Sequence, residues 1–185
     1  MALVASSIVF MVASEVFISG KRAFYIQEDS LQMQQELYAV MDSMSRNLRM
    51  AGYKNVNASC SGIYPAESNS TCIKFSFDYN QDGKLDGSQP YEKWVYRLDR
   101  EENVLRGKMG NSPVLQPLAQ NIREFELEYV LHDGQIVSDP DVAQADHIRM
   151  VSVGVCACRE NSLPTGEDNI RCYNSTIGIE NAGGE

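Results

Sequence analysis

The chain has 185 residues, 43% of them hydrophobic, so it is long enough and apolar enough to form a domain with a buried core. Its formal net charge of −9 and its pI near 4.7 argue against nucleic acid as a partner, because phosphate binding requires clustered Lys and Arg. The sequence contains no Cys-x-x-Cys pair and two histidines. Zinc ribbons, thioredoxin-like sites and most histidine-based metal sites therefore lack support.

The first predicted element is a long helix that begins with the apolar run MALVASSIVFMVASEVFISG (residues 1–20), in which Glu15 is the one charged residue. Its length is near the roughly 20 apolar residues that a bilayer-spanning helix needs. Lys21 and Arg22 follow the run and nothing basic precedes it, whereas a secretory signal starts with basic residues. We therefore expect several residues, including a basic leader, to be missing from the N-terminus.

The helical pattern continues through residues 21–52, where it becomes amphipathic. Apolar residues recur at spacings of three and four and so share one face of the helix: Met33, Leu37, Met41, Met44 and Leu48. Gly52 supplies a C-terminal stop. The pattern predicts a helix from about residue 2 to about residue 51, roughly 75 Å long, whose apolar stripe packs against the domain that follows.

Residues 53–185 predict a loop-rich antiparallel sheet. Alternation in CIKFSFDY (72–79) places Ile73, Phe75 and Phe77 on one face of a strand, and EKWVYRLD (92–99) predicts a second strand. NVLRGKM (103–109) is expected to pair with the second strand, and VLQPLAQNI (114–122) to be a crossing segment.

Four more strands are predicted in the last third of the chain. REFELEYVLHDGQIV (123–137) indicates a hairpin that turns at Asp133 and Gly134. HIRMVSVGVCA (147–157) alternates, with Val151, Val153 and Val155 on one face and Ile148, Met150 and Ser152 on the other. IRCYNSTIGIEN (170–181) is the last strand. The expected fold class is α+β, with a long N-terminal helix on an antiparallel sheet.

The segment FDYNQDGKLDG (77–87), between the first two strands, has the pattern of a calcium loop. Oxygen ligands alternate as in an EF-hand, with Gly83 at the turn: Asp78, Asn80, Asp82, the carbonyl of Lys84, and Asp86. Position 12 is Gln89 instead of Glu, Glu92 is the nearest carboxylate beyond it, and the flanks predict strands. The pattern therefore predicts a structural Ca²⁺ loop, and the alternative is an Asx-rich turn without an ion.

The five cysteines indicate disulfides formed in an oxidising compartment. Cys60 and Cys72 bracket a polar loop that a bond between them would close. Cys172 is expected to bridge back to Cys158 or to Cys156, and the odd count leaves one thiol over.

No catalytic constellation is apparent, and we predict that the protein is not an enzyme. The sequence shows no Ser-His-Asp order, no metal-binding histidine pair and no phosphate loop. His132 and His147 are interpreted as a turn residue and a strand-start residue.

Three segments in this order resemble the minor pilins of the PilW type and the minor pseudopilins of the GspJ type. They are MDSMSRNLRMAGY (41–53), FDYNQDGKLDG with EKWVYRLDREENVLRG, and LAQNIREFELEYVLHDG with HIRMVSVGVCACRE. Prepilins also carry a basic leader, a cleavage site after Gly, then Phe and an early Glu. These features are not found here, so no processing site is assigned.

The resemblance implies a pilin-like fold and a structural subunit that primes a type IV pilus-like filament or sits at its tip. Residues 1–20 would be the membrane and filament-core half of the helix, residues 21–52 its amphipathic half, and residues 53–185 the head. The implied partners are other minor and major pilin-like subunits and, before assembly, the inner membrane. The head would lie in the periplasm and later in the extracellular filament.

Two alternatives stay open. One is a tip module whose sheet loops mediate adhesion or ligand binding. The other is a membrane-anchored periplasmic calcium-binding protein that joins no filament.

Overall fold

The computed structural model of the chain describes residues 2–53, 62–81, 92–110, 112, 114–159 and 168–179. Within the N-terminal helix, side chains are described from Val9 onward. The described residues form one helix followed by eight strands, one strand more than the sequence predicts, with short 3-10 turns at Pro65–Glu67 and Val142–His147.

The N-terminal helix, α1, is continuous from Ala2 to Arg49. Its end lies close to the predicted one, and Gly52 adopts the left-handed backbone conformation that stops a helix, with φ of 75°. The N–H of Gly52 then donates to the carbonyl of Ser76 at 2.9 Å, and the N–H of Ser76 donates to the carbonyl of Gly62 at 2.8 Å. A Cβ on Gly62 would lie 2.1 Å from the backbone nitrogen of Gly52, so this joint between the helix and the sheet requires glycine.

The described strands form two four-stranded antiparallel sheets, whereas the sequence analysis predicts one sheet. The orders are β1-β2-β3-β4 and β6-β5-β7-β8. The strands are β1 (Cys72–Ser76), β2 (Lys93–Asp99), β3 (Val104–Met109), β4 (Gln116–Ala119), β5 (Ile122–Leu131), β6 (Ile136–Val137), β7 (Ile148–Arg159) and β8 (Asn169–Gly178). The chain changes sheet between β4 and β5, where Asn121 adopts φ of 57°.

The segment predicted as a crossing, residues 114–122, contains a strand. β4 pairs with β3 and lies at the edge of the first sheet. Pro117 has no backbone N–H to donate to a neighbouring strand. An edge strand tolerates this, because it is hydrogen-bonded on one side only. Because β4 is short and contains this proline, the alternation of apolar and polar residues does not predict it.

The apolar stripe of α1 is buried, as predicted. Its members are between 0% and 3% exposed: Met33, Leu37, Met41, Met44 and Leu48. They join one core with the inner faces of both sheets. α1 lies against β8 and also contacts β4 and β7.

The predicted strand faces are largely confirmed. Ile73, Phe75 and Phe77 are buried, as are Val153 and Val155. Ile148 is also buried, although strict alternation places it on the opposite face. The register of β5 shifts between Val130 and Leu131, opposite the start of β7. Such an irregularity lets Ile148 and Val151 both face the core.

Truncation of Leu48 should destabilise the fold far more than the same truncation of Leu31. Leu48 is 0% exposed and Leu31 is 58% exposed on the same helix. We expect Leu48→Ala to lower the free energy of unfolding by about 2 to 5 kcal/mol, because it leaves a cavity, and Leu31→Ala to lower it by less than about 0.5 kcal/mol. Denaturant unfolding followed by the fluorescence of Trp94 measures both. Equal losses would contradict the assignment of the buried face.

Candidate functional site

The N-terminal half of α1 exposes large apolar side chains. In residues 9–25 these are between 54% and 76% exposed: Val9, Phe10, Met11, Val12, Val16, Phe17, Ile18, Phe24 and Tyr25. The first buried helix side chain among the described residues is Met33. Residues 9–25, roughly 25 Å of helix, thus present apolar groups that the head does not cover.

Two polar contacts mark the place where α1 meets the head. Arg159 of β7 forms an ion pair with Asp29. The side-chain amide of Asn169, at the start of β8, donates to the hydroxyl of Ser30 at 2.6 Å. Asn169 is 1% exposed, so this hydrogen bond is shielded from water. The helix is therefore fixed to the head from Asp29 onward.

A seven-residue spacing runs along the exposed surface of α1. We call these five residues the heptad stripe: Phe10, Phe17, Phe24, Leu31 and Tyr38. All five are more than half exposed. This stripe is absent from the sequence-based predictions, which rest on the spacing of three and four that marks the buried face. The signal that would have revealed it is the repeat of seven.

A polar cleft of about 910 Å³ lies beside the contact between α1 and the head. It is lined by Asp29, Asn103, Asn121, Arg123, Cys158, Arg159 and Asp168. Its charges form pairs, since Arg159 contacts Asp29 and Arg123 lies 3.8 Å from Asp168. The described part of the chain holds no group of three or more His, Cys, Asp or Glu side chains placed to bind a metal.

The two histidines lie together at the surface. Both are exposed, and the N–H of His132 donates to the carbonyl of His147 at 2.8 Å. Their backbones join the end of β5 to the 3-10 turn before β7, which agrees with the turn and strand-start interpretation.

The predicted calcium loop is described at its two ends. Asp78 and Asn80 lie within the described residues, and Asp82, Lys84 and Asp86 lie outside them. Asp78 is 1% exposed and Glu92, at the far end of the loop, is 0% exposed. The N–H of Phe77 donates to the carbonyl of Glu92 at 3.1 Å, which brings these ends together. Each end of the loop thus carries a buried carboxylate.

The structure places a disulfide between Cys156 and Cys172, which face each other across β7 and β8 with Cα atoms 4.1 Å apart. Of the two partners left open for Cys172, Cys156 is the bonded one. Cys158, the other partner that the sequence left open, lies opposite Ile170 in the register and keeps its thiol, so the pairing of Cys158 with Cys172 was wrong.

Cys72 is not bonded to another described cysteine. Burial raises the pKa of its thiol. Cys60 lies outside the described residues, so the pairing of Cys60 with Cys72 stays a prediction.

Among the described residues, none of the helices carries an apolar stretch of the length that a bilayer crossing requires.

Comparisons with known proteins give one family. Residues 27–153 match the family described as prepilin peptidase-dependent protein B. No curated protein sequence matches significantly. Among solved structures, a type IV-like pilin from Thermus thermophilus superposes with a TM-score of 0.49 at 10% identity, over 81% of this chain and 98% of that one.

The disulfide assignment predicts opposite results for two serine variants. Cys156→Ser should abolish the bond to Cys172 and lower the free energy of unfolding by about 3 kcal/mol, the effect expected for a loop of this length. Cys158→Ser should retain the bond and change the stability by less than about 0.5 kcal/mol. Alkylation of free thiols followed by peptide mass mapping detects the bond. A bond to Cys172 that survives in Cys156→Ser but disappears in Cys158→Ser would contradict the register.

Proposed function

The chain belongs to the prepilin peptidase-dependent protein B family, and from this premise we propose that it is a minor pilin or pseudopilin that primes a type IV pilus-like filament or sits at its tip. The observation that carries the proposal is the exposed apolar half of α1. Nine large apolar side chains are exposed on this half of the helix, and large groups of exposed apolar side chains mark sites of association.

Association with other helices suits the composition of this half. Small residues lie among the large ones, notably Ala13, Ser14 and Gly20, and small residues let helix backbones approach closely. A partner helix would remove the apolar side chains from water at roughly 25 cal/mol per Å². We therefore propose other minor and major pilin-like subunits as partners.

The proposed location differs for the head and for the N-terminal half of α1. The disulfide between Cys156 and Cys172 suits an oxidising compartment, so the head would lie in the periplasm and then in the extracellular filament. Residence of the helix in the inner membrane before assembly remains part of the proposal.

The head supports a structural role more than a catalytic one. Its polar cleft contains ion-paired charges, and its exposed histidines serve backbone connections. We propose that the protein acts by binding and assembly, without catalysis.

The assembly role predicts that one exposed aromatic residue is essential. In a deletion strain, the wild-type gene should restore surface filaments, and Phe17→Glu should lower their number at least tenfold, because it places a charge in a helix contact. Ser19→Glu adds the same charge on the opposite side of the helix and is the matched control. Electron microscopy and immunoblots of sheared filaments provide the count.

Three results would distinguish the alternatives. Normal filaments in the deletion strain would overturn the priming role. If adhesion were lost at the same time, the adhesive tip module would be favoured. Failure to co-purify with any pilin-like subunit would favour a periplasmic calcium protein.

We also propose that the loop between β1 and β2 binds one structural Ca²⁺. Support comes from its two ends, because the buried carboxylates of Asp78 and Glu92 are of the oxygen-donor type that calcium prefers. Asn80, Asp82, the carbonyl of Lys84 and Asp86 would complete the site. A bound ion would neutralise carboxylates and hold the loop between its two strands.

Calorimetric titration of the full chain with CaCl₂ tests the ion. We expect a dissociation constant on the order of 10⁻⁴ to 10⁻³ M, as in extracellular modules, and a rise in melting temperature at millimolar calcium. Asp78→Asn should weaken binding at least tenfold, whereas Asp146→Asn, at an exposed position, should leave it unchanged. Absence of both heat and stabilisation at millimolar calcium would contradict the proposal.

A further inference from the structure

The heptad stripe continues past the point where α1 joins the head. Leu31 and Tyr38 are 58% and 60% exposed, although their neighbours Met33 and Leu37 are buried against the sheets. The head thus covers one side of the helix and leaves the stripe open on another side. The apolar surface of the N-terminal half therefore extends by two further heptads alongside the head.

Leu31 and Tyr38, the two C-terminal members of the stripe, form one wall of a groove between α1 and the edge strand β8. Its volume is about 430 Å³, and β8 supplies Arg171, Cys172 and Tyr173 as the facing wall. The rings of Tyr38 and Tyr173 meet edge to face with centroids 6.2 Å apart. Gln34 and Gln35 add uncharged amides. The groove is therefore mainly apolar, and because Tyr38 and Tyr173 touch each other across it, it can admit side chains of a partner that lies over it.

The spacing of the stripe favours a helix as the partner at this groove. Residues seven apart drift by about 20° per repeat on a straight α-helix, so the stripe follows a left-handed path. A second helix that packs at about 20° stays in contact with such a path over its whole length. From Phe10 to Tyr38 the path is about 42 Å long, and a partner strand or loop would not require a repeat of seven.

The area is sufficient for such a partner. Aromatic side chains offer roughly 150 to 250 Å² each, and the five stripe residues are between 58% and 76% exposed. Together they present about 600 Å², most of the roughly 800 Å² that each side of a standard interface buries. Tyr173, 40% exposed, adds to this area at the head.

Arg171 specifies the charge of the partner. Its Nη1 donates to the carbonyl of Ile170 at 2.9 Å. Its Nε is buried and has no hydrogen-bond acceptor within the part of the chain that the structure describes. The side chain as a whole is half-buried and lines the groove, so its positive charge is available there, and a carboxylate is the group that pairs best with a guanidinium group.

We propose that an α-helix of a neighbouring pilin-like subunit packs over this groove, with apolar side chains at heptad spacing against Leu31, Tyr38 and Tyr173 and a carboxylate on Arg171. The inference rests on the proposed assembly function and extends it, because it continues the helix contact along the head and names the chemistry of the partner. The helix of the neighbouring subunit would thus contact the head as well as the N-terminal half of α1.

Photocrosslinking in cells tests the occupant. The full-length protein carries p-benzoylphenylalanine at position 31 or 38, and at position 136 as the control, since Ile136 is equally exposed on β6. Irradiation should give adducts at positions 31 and 38 whose mass-mapped peptides belong to the long helix of another pilin-like protein, at least tenfold more abundant than from position 136. Adducts to lipid, to head loops or to unrelated proteins would overturn the proposal.

Substitution tests the carboxylate. Arg171→Ala should lower the yield of the position-31 adduct at least tenfold, as expected for loss of a charge-assisted hydrogen bond. Arg149→Ala, at an exposed position of β7, should leave the yield unchanged. Thermal unfolding of both purified variants shows whether the fold is intact, and an unchanged yield in a folded Arg171→Ala protein would overturn the role of Arg171.

The outcomes separate this inference from the proposed function. If filaments form and contain the protein but positions 31 and 38 give no helix adducts, the groove proposal fails and the assembly role stands. If filaments form normally without the gene, the priming role fails, whereas helix adducts at positions 31 and 38 would still support the groove proposal.

Discussion

Burial of one face of α1 against two sheets is the constraint on which the remaining structure depends. The stripe from Met33 to Leu48 is the shared surface that joins the inner faces of both sheets in one core. Without this stripe, each of the two four-stranded sheets would leave an apolar face in water. Such exposure is unfavourable in proportion to its area. The close approach of Gly52 and Gly62 then holds the end of the helix against β1.

The same helix is divided by function as well as by burial. Its buried face serves the stability of the head, and its N-terminal half and heptad stripe remain exposed. A helix about 70 Å long exceeds what a head of this size can cover, so most of its apolar surface is available to partners. The contacts of Arg159 with Asp29 and of Asn169 with Ser30 lie at the boundary between the exposed half of the helix and the half that packs on the head. The groove beside β8 extends the exposed apolar surface onto the head.

Elements that depend on local patterns followed the sequence closely. The spacing of Met33, Leu37 and Met41 predicts both the helix and its buried face, and alternation in Ile73, Phe75 and Phe77 predicts β1 and its orientation. β4 escaped prediction because Pro117 masks an edge strand. The burial of Ile148 escaped because a register shift in the neighbouring strand interrupts alternation. The carboxylates at the two ends of the calcium loop were visible in the sequence, whereas their burial depends on the strands around them.

By itself the sequence determined a long helix with an apolar beginning, a stripe for burial, a chain of antiparallel strands and the resemblance to minor pilins. These features are periodic or local, and each depends on residues that are a few positions apart in the sequence. Only the tertiary structure decided that the strands divide into two sheets, that Cys172 bonds to Cys156, and that Tyr38 and Tyr173 form one groove. These pairings join residues that are 16 to 135 positions apart, and their partners are selected by strand register and by burial of a common core, which no local pattern encodes.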